Sequence, residues 1–363
     1  MNEMTEIRRL WDDVPEGTPA DLAPSRARLL TEIDGRRRPR RLLLRVALVT
    51  AGAVAAVQIG VGLTDTGPPE NAADLLERAA LAAAEQPDLT PGPGQYVHTE
   101  MRTLRMTTQL GPGSQARQLS IPYREERWEP ADAGRPWLLR ERSLDPMWDQ
   151  GVNDTVHTTS CDSAGTLTLA RLAHWPTDPA ALRPLVEREA AKATAIPARE
   201  RLWHTTARLI RESAFRPPLT AALYRLAADL PGITLTERAA DALGRPGVAV
   251  SFRYDGLRSE LVFDRDTYRF LGSRTVTTEE RTKRMEMPKS TPERIEEVTA
   301  TMVKFGDTPE KARERAEEMR QDREFVVTTP NGVVTDAFAI VGIGLADAHP
   351  PLAEKVSHVT LPC

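Results

Sequence analysis

The chain has 363 residues, of which 40% are hydrophobic and 28% charged, and its formal net charge is −4. This length has room for two or three domains. The near balance of 48 basic and 52 acidic residues provides no basic field for nucleic acid, so we expect no nucleic-acid partner. The 29 prolines predict many turns and argue against one long coiled coil.

Residues 1–41 are predicted to form a short cytoplasmic tail. Apolar residues recur in two stretches at helical spacing. They are Ile7, Leu10, Trp11, Leu29, Leu30 and Ile33. So short a segment cannot bury an adequate core alone, so it is either a solvated tail that only sets topology or a docking segment for a cytoplasmic protein. It contains no Cys or His, which excludes a zinc site within it.

Residues 42–64 are predicted to form a transmembrane signal anchor in the lipid bilayer. The run from residue 46 to 63 carries no formal charge and would span roughly 27 Å as a helix, close to the roughly 30 Å hydrocarbon core. Five arginines cluster shortly before it, Arg36, Arg37, Arg38, Arg40 and Arg41, whereas the flank "TDTGPPE" is acidic. The positive-inside rule then keeps the N-terminus in the cytoplasm and makes the remainder extracytoplasmic.

Two alternatives to an anchor are a cleaved signal peptide and a buried helix of a soluble domain. About forty-five residues precede the apolar run, more than a signal peptide has, and a soluble helix rarely lacks a polar face over this length. We therefore favour a single-pass protein of the cell membrane. Gly52, Ala56 and Gly60 share one face of the helix, a spacing that permits a homodimer through the membrane helix.

The two cysteines are Cys161 and Cys363. With the predicted topology both lie in an oxidising compartment, where they either pair in a disulfide or remain two thiols. "TTSCDSAG" places Cys161 beside Asp162, but no motif ties a histidine to it.

Residues 70–348 are predicted to form one α+β domain. A helix begins near Asn71, and "YVHTEMRTLRMTTQL", "QLSIPYREERWE" and "PWLLRERSL" alternate apolar and polar residues as strands do. Three helices follow between residues 176 and 232, the first capped at Thr177 or Asp178. Strands return in "GVAVSFRY", "RSELVFDRDTYRFLGSRTVTT" and "EFVVTTPNGVVTDAFAIVGIGLAD". Alternation of this kind predicts an antiparallel sheet with helices on one face.

Residues 281–323 are predicted to be a helical hairpin inserted in the sheet. "STPERIEE" and "DTPEKARE" repeat one helix-start signal, with Thr291 and Thr308 as caps. Such a hairpin is either a decorated loop or a partner-binding element. The last segment, residues 349–363, is predicted to be a C-terminal tail.

The sequence offers no catalytic constellation, so we expect no enzyme, no cofactor and no metal. Its six histidines are scattered without metal-ligand spacing, and neither G-x-S-x-G nor a P-loop occurs. Asp264 and Asp266 in "FDRDTYRFLG" suit either a Ca²⁺ ligand pair or a tight turn, and we favour the turn. Trp203 and Tyr224 are predicted to be core anchors.

Four segments follow one another in an order that resembles a family of uncharacterised actinobacterial single-pass membrane proteins. They are "WPTDPAALRPL", "PPLTAALYRLAADLPGI", "DALGRPGVAVSF" and "SELVFDRDTYRFLGSRTV". The matching positions are 176–179, 222–224, 230–232, 241–245, Phe263, Asp264, Thr267, Leu271 and Gly272. The resemblance implies association with an extracytoplasmic-function sigma factor. It also implies an outer domain similar to the half-barrel sheets of lipoprotein carriers and periplasmic sensors, from which the insertion at residues 281–323 departs.

Two functional hypotheses follow. In the first, the chain is a membrane-anchored sensor or regulator that partners a sigma factor. In the second, it is a tethered envelope carrier of a lipid or another hydrophobic ligand. An apolar concave sheet face would favour the carrier, and a concavity filled by the protein's own helices would favour the regulator.

Overall fold

The computed structural model describes residues 67–110, 116–132, 134–159, 168–304, 307–320 and 323–361. All of them belong to one compact unit, Ile59–Cys363. The predicted tail and anchor lie outside these described residues. Within them, no helix combines the length and apolar character needed to cross a membrane.

Twelve strands are described. They are β1 (Tyr96–Leu110), β2 (Ala116–Pro130), β3 (Trp137–Ser143), β4 (Asn153–Thr159), β5 (Ile233–Ala240), β6 (Pro246–Tyr254), β7 (Leu257–Asp264), β8 (Phe270–Thr277), β9 (Arg281–Met287), β10 (Arg323–Thr329), β11 (Val334–Ala346) and β12 (Lys355–Leu361). Ten of them form one sheet in the order β12-β4-β3-β2-β1-β11-β8-β7-β6-β5. The pairing is antiparallel throughout except between β12 and β4, which run parallel. The prediction of a mixed α+β domain built on a large sheet is confirmed.

Seven α-helices are described. They are α1 (Ala72–Ala84), α2 (Leu169–Leu172), α3 (Pro179–Lys192), α4 (Ala198–Glu212), α5 (Pro217–Ala228), α6 (Pro292–Lys304) and α7 (Pro309–Glu317). Short polar side chains start several of them, because each accepts a hydrogen bond from an otherwise unpaired backbone N–H. Asn71 caps α1, Asp178 caps α3 ahead of Pro179, and Thr308 caps α7.

The main core lies between helices α1 to α5 and one face of the sheet, which we call the helix side. Strands β6 and β7 contribute Val248, Val250, Leu261 and Phe263 to it. They meet α5, which is hydrophobic nearly all round and almost entirely buried. Tyr224 and Trp203 are both 2% exposed, as expected of core anchors.

Residues 281–323 do not form helices alone. Residues 281–287 form strand β9, which pairs in register with β10 over Arg281–Met287 and Arg323–Thr329. Helices α6 and α7 and a 3₁₀ turn (Glu318–Arg320) lie between these strands. The pair β8 and β11 therefore continues into a two-stranded ribbon that carries the predicted hairpin at its end. Thr277 closes the base of the ribbon, since its N–H donates to the Val333 carbonyl at 2.9 Å and its hydroxyl to the Pro330 carbonyl at 2.7 Å.

Strand β12 lies in the segment for which the sequence predicts a C-terminal tail. Its start is fixed to β3 and β4 by Asp154, a residue without exposed surface. Arg140 donates to both oxygens of Asp154 at 2.8 Å, and the Ala353 N–H donates to Oδ2 at 2.7 Å. This fully satisfied carboxylate explains why the end of the domain adds a strand to the sheet.

Candidate functional site

The residues that the sequence singles out for partner contact and topology lie outside the described part of the chain. They are Ile7, Leu10, Trp11, Leu29, Leu30, Ile33, Arg36, Arg37, Arg38, Arg40, Arg41, Cys161 and Cys363. The disulfide, the tail contact and the membrane homodimer accordingly stay predictions. A candidate site within the described residues has to be sought in the outer domain.

Strand β2 carries charges on the helix side of the sheet. Glu125, Arg127 and Glu129 alternate along the strand, so their side chains share one face. They lie opposite Met101, Thr99 and Val97 of β1, and Val97 belongs to the helix-packed core. Strands β1 to β3 therefore present charged groups on the face where β6 and β7 present apolar ones.

An arginine–carboxylate network joins these strands. Glu125 of β2 lies directly opposite Glu141 of β3, a like-charge pair that would destabilise the sheet if left alone. Arg105 of β1 contacts both carboxylates, with 2.6 Å to Glu125 Oε2. Arg127 donates to the other oxygen of Glu125 at 2.8 Å. Glu125 is consequently only 1% exposed although charged, because two guanidinium groups offset its loss of hydration.

Helix α4 brings a further cation to this network. Arg211 lies in its last turn, and its Cζ lies 5.3 Å from the ring centroid of Phe338. Its buried Nε has no hydrogen-bond partner in the structure as described. Burial, followed by the repulsion of Arg127, lowers the pKa of Arg211. Burial also raises the pKa of Glu129.

A cavity of about 30 Å³ lies between these groups, lined by Arg127, Glu129, Arg211 and Phe215 among others. That volume suits one water molecule, not a hydrophobic ligand. We call Arg105, Glu125, Arg127, Glu129, Glu141 and Arg211 the charged surface. Within it, Arg105 keeps 43% of its side chain exposed and Arg127 keeps 23%, so these two guanidinium groups are the ones that a polar partner can reach.

An aromatic pair borders the charged surface on β3 and β4. Trp137 and His157 lie opposite each other and stack with ring centroids 3.8 Å apart and planes within 6°. Burial and the nearby Arg127 lower the pKa of His157. Both of its ring nitrogens are buried without a hydrogen-bond partner among the described residues, so this ring packs as an apolar body.

The remaining candidates have structural roles. Asp264 Oδ1 accepts from the N–H groups of Asp266 and Thr267 at 3.1 and 2.8 Å, so "DRDT" is the expected turn. Within the described ranges, no group of three or more His, Cys, Asp or Glu could hold a metal ion.

Sequence reasoning did not find the charged surface, although a signal for it exists. In "YREERWE" charged residues stand at both odd-numbered and even-numbered positions. Because successive side chains of a strand point to opposite faces, both faces of β2 are charged. A strand of this kind cannot lie under an apolar helix face. The pattern does not reveal that Glu125 becomes fully buried. That burial depends on Arg105, which lies on a different strand, and on Arg127, two residues further along β2.

No family model matches the chain, and no curated protein matches it, so the family resemblance stays a prediction. Among solved structures, a match is found with the complex of MucA and MucB from Pseudomonas aeruginosa, at 16% identity and a TM-score of 0.23. The match covers 77% of this chain and 58% of that one, so this chain spans less than two thirds of its neighbour's length.

Proposed function

We propose that the chain is a membrane-anchored regulator whose extracytoplasmic domain binds a polar partner and whose cytoplasmic tail binds a sigma factor. One observation carries the proposal. An uncharged run at residues 46–63, preceded by five clustered arginines, separates a segment with short apolar stretches at helical spacing from a large folded domain. A protein of this layout has one binding segment on each side of the membrane.

The helix side of the sheet supports a regulator over a carrier of hydrophobic ligands. Over β6 and β7 that face is filled by the protein's own helices, with Leu261 1% exposed and Phe263 fully buried. Over β1 to β3 it carries the charged surface. Pockets for apolar ligands are lined mainly by apolar side chains. The cavity beside Arg211 is only about 30 Å³, and an open cavity of about 450 Å³ beside His204 is bordered by the charged residues Glu189, Lys192 and Arg208.

Topology is tested with reporter fusions at residues 38 and 70. We expect a cytoplasmic signal from the first and an extracytoplasmic signal from the second. Replacing Arg36, Arg37, Arg38, Arg40 and Arg41 by Gln should randomise the orientation, because these charges set it. A cytoplasmic signal at residue 70 in the unaltered chain would reject the anchor.

The partner is tested by co-purification with the full chain from detergent-solubilised membranes of its host. A sigma factor should co-purify with the unaltered chain and be lost from the double variant Trp11→Asp and Leu30→Asp, since buried aromatic anchors dominate such interfaces. The matched control, Thr5→Asp with Thr31→Asp, adds the same charge at polar positions of the same segments and should retain the partner. Co-purified lipid without any cytoplasmic partner would favour the carrier instead.

A further inference from the structure

The two edges of the ten-stranded sheet differ in how they meet solvent. At one edge, the register of β5 with β6 shifts between Thr236 and Ala239. The two residues in between, Glu237 and Arg238, are charged and exposed. Arg265 donates to the Glu237 carbonyl at 3.0 Å. A bulge and exposed charges are the devices by which edge strands avoid pairing with other chains.

The other edge has no bulge in the described residues, and its one permanent charge lies at the start of the strand. Strand β12 pairs with β4 without interruption over Lys355–Leu361 and Asn153–Thr159, and it is the last strand of the sheet. Ser357, His358, Val359 and Thr360 are exposed, and Val359 keeps 39% of its surface. The strand contains no proline, and its one residue with a permanent charge, Lys355, stands at its first position. Its outward N–H and C=O groups form a ready template for another strand.

We infer that β12 is a self-association edge: two copies of the chain pair their β12 strands antiparallel about a two-fold axis at His358. The two ten-stranded sheets then become one continuous sheet. The inference concerns the outer domain alone and does not depend on the proposed anchor.

Charge selects the antiparallel arrangement. If two β12 strands paired in parallel, their Lys355 ammonium groups would lie side by side at a strand spacing of about 4.8 Å. In the antiparallel pair centred on His358, the two Lys355 residues lie at opposite ends, roughly 20 Å apart at about 3.3 Å per residue.

The cross-strand pairs of that register are also compatible. Val356 faces Thr360 of the second copy, and Ser357 faces Val359, so each β-branched valine meets a small hydroxyl side chain.

A second copy is the occupant that this edge fits best. Its β12 is already an extended strand held by Asp154 and β4, so pairing needs no ordering of a flexible segment. Pairing about a two-fold axis uses the same surface on both copies and is closed. Because the β5 edge is blocked, the product is a dimer and not a fibre. Seven paired residues make a small contact, so we expect a dimer that dissociates on dilution.

Cysteine cross-linking of the full chain tests the register. In a background with Cys161→Ser and Cys363→Ser, His358→Cys should give a disulfide-linked dimer on mild oxidation. Its two Cα atoms would lie about 4.5–5.5 Å apart, within the range that a disulfide bridges. Lys355→Cys lies in the same strand, but the two substituted residues of the dimer would be roughly 20 Å apart. This variant should not cross-link. Equal cross-linking of both variants, or of neither, would overturn the proposal.

Charge repulsion provides an independent test. The predicted helix contact in the membrane is first removed with Gly52→Leu and Gly60→Leu, so that any remaining dimer reports on β12. In that background His358→Glu places two carboxylates opposite each other at the axis and should abolish the dimer seen by light scattering of the detergent-solubilised chain. The matched control, Thr234→Glu, adds the same charge at the exposed β5 edge and should leave the dimer unchanged. A wild-type chain that stays monomeric at every concentration would overturn the inference. If His358→Glu failed to fold, the cysteine pair would still decide it.

Discussion

The two halves of the sheet's helix side reach similar burial by different means. In strands β6 and β7, Val250 and Phe263 are fully buried among apolar helix side chains. In strands β1 to β3, Glu125 is as well buried, yet it lies between Arg105 and Arg127. The first half gains stability from each apolar contact, whereas ion pairs in the second mainly offset the cost of desolvating charge. The apolar half therefore holds the fold together, whereas the charged half keeps the guanidinium groups of Arg105 and Arg127 partly exposed.

The largest effect is expected from Phe263→Ala in the apolar half. Phe263 packs edge-on against Tyr224, with centroids 5.4 Å apart, and against Phe270 at 5.7 Å. Removing the ring leaves a cavity that this packing cannot close, so the free energy of unfolding should fall by about 3–5 kcal/mol. Urea unfolding of the full chain measures it. Val326→Ala, at a strand position that is 47% exposed, is the control and should change stability by less than about 0.5 kcal/mol.

Asp154→Asn tests a buried carboxylate that fixes β12. Burial alone would raise the pKa of Asp154, but the hydrogen bonds from Arg140 and from the Ala353 N–H hold it below its usual range. A lowered pKa contributes stability above the unfolded-state pKa near 3.9, and this contribution is lost as the pH falls through the folded-state value. The variant should be about 2–3 kcal/mol less stable at pH 7.

The pH dependence distinguishes this role of Asp154 from a mere packing defect. The gap in unfolding free energy between wild type and Asp154→Asn should narrow as the pH falls from about 4 through the lowered folded-state pKa of Asp154, because the carboxyl takes up its proton first in the unfolded chain and only at lower pH in the folded one. Hydrogen exchange at Lys355–Leu361 should be faster in the variant at pH 7. Asp229→Asn, at a side chain that is 69% exposed, should change neither quantity. A gap that stays constant with pH would contradict the assignment.

Glu125→Gln tests the charged half with a smaller expected loss of about 1–2 kcal/mol. The amide keeps the shape of the side chain but leaves Arg105 and Arg127 with one carboxylate fewer. Glu324→Gln is the control, since its pair with Arg284 spans 3.0 Å with side chains that are 77% and 51% exposed, and exposed pairs contribute little. If both variants lost equal stability, the contrast between the two halves would be wrong.

Sequence patterns predicted the apolar half well, because its signals are local. Alternation in "GVAVSF" and "SELVF" predicts strands, and the caps Asn71 and Asp178 predict helix starts. Strand β12 was missed although Val356, Val359 and Thr360 favour strands, because its pairing with β4 depends on the distant Asp154. Strand β9 was missed because "RTKRMEM" has no apolar face of its own. What failed to be predicted was pairing between distant segments.

The smallest effect is expected from removing the insertion, because we expect neither half of the sheet to depend on it. Thr277 and Val333 are joined by a backbone hydrogen bond of 2.9 Å at the base of the ribbon, so replacing residues 278–332 with Asn-Gly should close a tight hairpin between β8 and β11. The deletion sacrifices the hydrogen bond between Thr329 and Gln118 of β2 and the ion pair of Arg281 with Asp255 at 2.8 Å. Unfolding should remain cooperative, and the free energy of unfolding should fall by about 1 kcal/mol or less.

As a control, Gly272→Ala in the shortened chain should still be severely destabilising. A Cβ there would lie 2.0 Å from the Phe338 carbonyl oxygen and force β8 away from β11. A shortened chain that unfolds without cooperativity would mean that the ribbon and its helices belong to the core, and the division of the sheet into two halves would then have to include them.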